Sequence, residues 1–205
     1  MRNAYALLGL AFIIVFGGAY ILVERAEAPT PEDAPVSTND TIPMSLTLTS
    51  PVFTNNGMIP SEYTCDGANT MPPLEISGVP EGTVSLVLVM DDPDIPTAVK
   101  ERMGIEKFDH FAVYNLSPDT HTLTADNLSG TLGLNGRGEA VYTGPCPPPE
   151  YEPTEHRYIF RLYALSGHLN FIKAPTLDEL ETAASGMAIA NAELTGRYQR
   201  ITAQN

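Results

Sequence analysis

The chain has 205 residues, 43% of them hydrophobic and 18% charged, which is enough to close one packed domain and too apolar for global disorder. Its formal net charge of -14 argues against nucleic acid and anionic lipid surfaces as bulk electrostatic partners. That charge does not exclude a desolvated pocket that binds a small anion.

The N-terminus reads as a membrane segment. Residues 4–23, "AYALLGLAFIIVFGGAYILV", carry no charge, and about 20 such residues suffice to cross a bilayer. Ala26-Glu27-Ala28 offers an A-x-A pattern of the kind found at signal-peptide cleavage sites. The length of the run and Pro29 just beyond it favour an uncleaved signal-anchor over residues 1–25. The short tail before the anchor then places the rest of the chain outside the cytoplasm, in a single-pass membrane protein. Secretion after cleavage is the alternative. Residues 26–43 are rich in Pro, acids and small polar residues and read as an extended tether. One domain follows over 44–205.

Strand signals dominate that domain. "MSLTLTSPVF" (44–53) alternates and breaks at Pro51. "VSLVLVM" (84–90) is a continuous apolar run, as in a strand covered on both faces. "FDHFAVYNL" (108–116) and "HRYIFRLYAL" (156–165) are two further strands. Residues 98–108 hold a candidate short helix. The clear helical pattern is "APTLDELETAASGMAIA" (174–190), with Thr176 at its entry and acids in its first turn. The fold class expected is mainly β: an antiparallel β-sandwich with a few peripheral helices, plus the N-terminal transmembrane helix. Strict alternation puts Phe108, His110, Ala112 and Tyr114 on one face of their strand. It puts His156, Tyr158, Phe160 and Leu162 together on another, with Arg157 and Arg161 opposite.

The run 84–90 ends in "DDPDIP", three acids in four residues at the end of a core strand. A calcium loop needs a turn glycine and a distal glutamate, which are absent here. Zinc needs closely spaced Cys and His ligands, and no C-x-x-C exists. Paired glycosidase carboxylates lack a tryptophan platform, since the chain has no Trp. There is no G-x-S-x-G and no P-loop. No metal, cofactor or catalytic nucleophile is expected. The bland reading is a proline-stiffened turn in which an aspartate caps backbone amides.

Several segments occur in a distinctive order: "YTCDGANTMPPL" (63–74), "DPDIP" (92–96), "FDHFAVYNLSP" (108–118), "GLNGRGEAVYTGPCPP" (133–148), "HRYIFRLYAL" (156–165) and "AELTGRY" (192–198). Together they resemble the phosphatidylethanolamine-binding protein family, also called Raf kinase inhibitor-like, in its bacterial and archaeal branch. The resemblance spans about residues 46–198. It implies two antiparallel sheets and a small anion pocket at one end of the sandwich. It also implies the lining: Asp92, Pro96, His110, Tyr142, Gly144, Cys146, Pro147, Pro148, His156 and Tyr158. Asp92 would orient a histidine, while the imidazoles, Tyr158 and amides of the Gly144–Cys146 loop would donate to the anion. Asp91 and Asp94 would shape the turn. Phe111 stands where bacterial members usually carry Trp, and the segments 97–107 and 149–155 are longer than usual. Cys65 and Cys146 lie in two of these motifs, and for an exported domain an even count favours a disulfide between them over two free thiols.

The function expected is non-enzymatic binding of a small anion, such as phosphate or a phosphorylated headgroup. One alternative is a protein-interaction module that restrains a protease or kinase. The other is a hydrolase using His110 or His156 as base.

Overall fold

The computed structural model describes residues 45–200. Along the chain run β1 (Thr47–Thr49), β2 (Gly57–Met58), β3 (Leu74–Ser77), β4 (Ser85–Asp92), helix α1 (Thr97–Met103) and β5 (Phe108–Leu116). Then come β6 (Thr122–Leu123), β7 (Thr131–Leu132), β8 (Glu155–Leu165), helix α2 (Leu177–Ser185) and β9 (Ala188–Gln199). A small sheet has the order β1-β3-β6, and a large one the order β2-β9-β8-β4-β5-β7. Neighbours are antiparallel except β2 and β9.

The continuous apolar run of β4 is explained by its position at the centre of the large sheet. Leu86, Leu88 and Met90 face the small sheet and join Leu48, Leu74, Ile76 and Leu123 in the main core. Val87 and Val89 face the other way, against Leu177, Leu180 and Ala184 of α2. Both faces are dry, so every residue of the strand is buried. Helix α2 starts with a capping box between Thr176 and Glu179. It ends at Ser185, short of the expected 190. From Ala188 the chain pairs with β8 over its whole length instead. The Ala-rich sequence is compatible with a helix, but the long open edge of β8 decides the outcome.

The fold class needs one correction. Among the described residues no helix is long and apolar enough to cross a membrane. The two helices have 7 and 9 residues, or about 10 and 14 Å of rise, against the roughly 30 Å of a hydrocarbon core. The apolar run 4–23 and the tether 26–43 lie outside the described residues. The fold is a mainly β domain with short helices, and the transmembrane helix is removed from its description. The single-pass, extracytoplasmic or secreted localisation drawn from that helix falls with it.

A β-bulge corrects the strand parity. Met90 pairs with Phe111, yet Asp91 pairs with Asp109, which leaves His110 as an extra residue on β5. Beyond the bulge, Ala112 and Tyr114 pack toward α2 while Phe111 and Val113 enter the main core. Before it, Phe108 and His110 turn toward the interior side, where Tyr158 lies. The four residues expected on one face are therefore split between two.

The opposite face of the same strand ends carries an ionic cluster. Asp91 is fully buried and takes Lys107 Nζ at 3.0 Å, with Arg161 as its second cation. Lys107 also reaches Glu181 at 2.6 Å. Burial opposes the charge on Lys107, but the Glu181 and Asp91 carboxylates outweigh it and push its pKa up to about 12. Asp109, opposite Asp91, has a buried oxygen with no partner. Burial raises its pKa to about 6, helped by Asp178, Asp91 and Glu181 and opposed by Lys107.

The disulfide expected from the sequence is present, joining Cys65 to Cys146 across 81 positions. Around it, Cys65 N–H donates to Pro145 O at 3.1 Å and Tyr142 Oη donates to Tyr63 O at 3.0 Å. The bridge thus ties the segment before β3 to the long loop between β7 and β8.

Replacing both cysteines by serine should lower the unfolding free energy by about 4–5 kcal/mol through loop entropy. Urea unfolding measures this, and an unchanged midpoint contradicts it. Asp109 supplies a pH test. Its folded pKa lies above its unfolded value, so its contribution is fully present below pH ~4 and is lost as pH rises through about 6. Asp109→Asn should therefore raise the melting temperature at pH 8, with the gain vanishing near pH 4. Equal melting temperatures at pH 8 would contradict the assignment.

Candidate functional site

The ends of β4, β5 and β8 meet at one edge of the sandwich and deliver Asp92, His110, and the pair His156 and Tyr158. Asp92 ends β4. Its Oδ1 accepts the Asp94 N–H at 2.8 Å, closing an Asx-type turn. Its Oδ2 accepts from His156 Nδ1 at 2.6 Å. The bland and the functional readings of this acid thus both apply, one to each oxygen. Asp94 leaves the site and forks onto Arg157 at 2.7 and 2.8 Å. The Arg157 hydrogen bonds hold the Asp94 carboxyl below the usual carboxylate range. Asp91 points to the opposite face, so the three acids of "DDPDIP" have three separate roles.

His110 donates Nδ1–H to Thr143 O at 2.6 Å, because a carbonyl can only accept. Its ring meets Phe108 and Tyr158 edge-on, with centroids 5.0 and 5.2 Å apart. His156 lies nearly parallel to Tyr158 at 6.4 Å. Asp92, His110, His156 and Tyr158 are all buried.

These side chains line a cavity of about 200 Å³. Pro96, Gly144, Cys146, Pro147 and Pro148 line it too, so the structure gathers every expected residue except Tyr142. Tyr142 packs against Phe111 at 5.8 Å in the main core. Its hydroxyl is engaged by Tyr63, as described above. Phe111 is likewise a core residue and does not line the cavity. Gly144 is needed for close approach: a Cβ there would lie 2.5 Å from Asn69 Oδ1 and 2.6 Å from Tyr63 O. Its N–H donates to Asn69 Oδ1 at 2.9 Å, and Pro145 has no N–H. The loop is therefore a poorer source of amide donors than expected. Ile95, Val99, Phe108, Arg137 and Thr143 complete the lining and were not foreseen. Arg137 sits inside the quoted motif "GLNGRGEAVYTGPCPP", where the turn residues Asn135-Gly136 were the available signal.

The electrostatics separate the two imidazoles. Burial lowers the pKa of His110, outweighing the Thr143 carbonyl and the Asp92 and Asp91 charges, and Arg137 adds to the lowering. The ring is neutral at pH 7 and presents an Nε2 lone pair. The expectation of two donor imidazoles is corrected at His110, whose Nδ1–H is taken by Thr143 and whose Nε2 can only accept. Burial and the charge of Asp92 raise the Tyr158 pKa, so the phenol keeps its proton. Of the cavity-lining side chains, two carry a buried polar atom with no hydrogen-bond partner, His156 Nε2 and Tyr158 Oη. The Cys146 amide lies near that hydroxyl but outside hydrogen-bond geometry. Unpartnered buried groups are costly and call for an occupant. Among the described residues no group of three His, Cys, Asp or Glu side chains is disposed to hold a metal. The lining cysteine is bridged and offers no thiolate.

Residues 49–199 match the family described as phosphatidylethanolamine-binding protein. A Chlamydia trachomatis protein described as UPF0098 is 41% identical over 154 residues, covering 75% of this chain and 98% of that protein. A crystal structure described as a phosphatidylethanolamine-binding protein homologue from the same species superposes with a TM-score of 0.70 at 39% identity, covering 77% of this chain and 99% of that one. Escherichia coli YbcL, described as a member of the mammalian family, gives a TM-score of 0.66 at 26% identity over 77% of this chain and 99% of its own. The resemblance read from the ordered motifs and the fold built from them agree with these matches: the chain belongs to the phosphatidylethanolamine-binding protein family.

Proposed function

We propose that the domain binds a small anion of the phosphate or phosphorylated-headgroup class and does not transform it. The observation that carries this reading is the pair of buried, unpartnered polar atoms, His156 Nε2 and Tyr158 Oη, on one cavity. A partly protonated phosphoryl group matches the set. Its anionic oxygens take the Tyr158 hydroxyl and the His156 Nε2–H of the imidazolium. Its P–OH donates to the neutral His110 Nε2. Asp92 takes the Nδ1–H of His156 and so aims Nε2 into the cavity. The acid in the anion pocket is thus the partner of the histidine.

A second reading is a protein-interaction module at the same mouth. It is favoured by Met103 and Tyr151, two exposed large apolar side chains on the segments beyond Val99 and Pro148 of the rim.

In an NMR titration with phosphoethanolamine or inorganic phosphate, the His110 and His156 ring resonances should shift at millimolar ligand, with the two remote surface imidazoles as internal controls. Still rings would remove the anion reading. Tyr158→Phe separates binding from folding. Without its hydroxyl the anion loses one charge-assisted bond, and affinity should drop about 10-fold. Thermal stability without ligand should not fall, because the hydroxyl has no partner to lose. Unaltered affinity in the phenylalanine variant would remove Tyr158 from the site.

A further inference from the structure

The cavity has a charged mouth that the floor chemistry does not explain. Arg137 lines the cavity yet is exposed. Its guanidinium makes no ion pair or hydrogen bond among the described residues, whereas its backbone N–H donates to Asn135 Oδ1 at 2.9 Å. Two other cations of this region are engaged. Arg157 forks onto Asp94, and Lys100 Nζ donates to Pro93 O at 2.8 Å.

The loop that carries Arg137 is built on the same groups that orient His110. Asn135 is buried, and its Oδ1 also takes the Glu139 N–H at 3.0 Å. Its Nδ2 donates to Thr143 Oγ1 at 3.0 Å, and the carbonyl of that threonine holds His110 Nδ1. Gly136 N–H donates to Asp109 O at 2.7 Å, and a Cβ on Gly136 would lie 2.9 Å from the Phe108 ring. The backbone of Arg137 is therefore fixed relative to the floor, and only its flexible side chain is free to find a partner. Ile95, Pro96, Val99 and Pro147 add apolar lining suited to a short carbon linker. One phosphoryl group fills only a fraction of about 200 Å³.

We infer that Arg137 determines specificity, by reading a second anionic group at the mouth while the first sits on His156 and Tyr158. The preferred ligand class is a small phosphomonoester with a separate acidic group a few bonds away. This rests on the anion-pocket reading above. A guanidinium fork matches a carboxylate with two charge-assisted bonds, whereas a neutral hydroxymethyl in the same place offers one weaker acceptor.

The test compares 3-phosphoglycerate with glycerol 3-phosphate by calorimetry on the full chain, since the two differ mainly in the carboxylate. Wild type should prefer 3-phosphoglycerate by about 10-fold. Arg137→Gln should bring the ratio near one, and Arg137→Lys should restore part of it, because a point charge without the fork remains. Equal binding of both ligands by wild type, or a preference that survives in Arg137→Gln, overturns this inference alone. Failure of both ligands to bind at millimolar concentration overturns the anion reading beneath it.

Discussion

The hydrogen bond from His156 Nδ1 to Asp92 Oδ2 is the constraint on which the site depends. It joins the end of β4 to the start of β8 at 2.6 Å between two buried side chains. It fixes the tautomer of His156 and so decides which nitrogen faces the cavity. The other oxygen of Asp92 shapes the turn into α1, whose Val99 helps close the mouth. One carboxylate therefore sets both the chemistry of the floor and the path of the rim. An acid buried here without a partner would be costly. With both oxygens engaged it stabilises the turn and holds the imidazole in place.

The alternation of β4 explains why closely spaced acids coexist. Asp91 and Asp92 point to opposite faces of the sheet, one to Lys107 and Arg161, the other to His156. Asp94, past the turn, is held by Arg157. Each acid has its own cationic or imidazole partner, so mutual repulsion is small. On β5 the bulge does the complementary work. By adding one residue at His110, it turns that ring toward Tyr158 while Asp109 goes to the ionic face. Without the extra residue, regular alternation from Phe111 would place His110 on the side of α2, away from the cavity.

Much of this was legible in the sequence. The apolar run 84–90 lies mostly within β4 and the strand 108–116 appears as read, while the residues named from the ordered motifs, Tyr142 apart, lie on one cavity together with five that the motifs did not single out. What escaped did so for physical reasons. A bulge leaves no mark in hydrophobic periodicity, so the parity of β5 was misjudged. Strand β9 begins with Ala188, Ile189, Ala190, Asn191 and Ala192, of which only Ile189 is a good strand former, and pairing with β8 makes it extended. Tyr142 lies in an irregular loop, where no period says which side chain faces inward. Arg137 was hidden because an exposed arginine in a turn looks like a solvated residue until the cavity beneath it is known. The apolar run 4–23 lies outside the described residues.

The central claim is that an anion occupies the space between His156 Nε2 and Tyr158 Oη. Anomalous diffraction from crystals soaked in arsenate, the heavier analogue of phosphate, tests it most directly. The expected result is a peak within hydrogen-bond distance of both atoms, with the His156–Asp92 bond intact. A cavity without anomalous density, with arsenate found only on the protein surface, would contradict it.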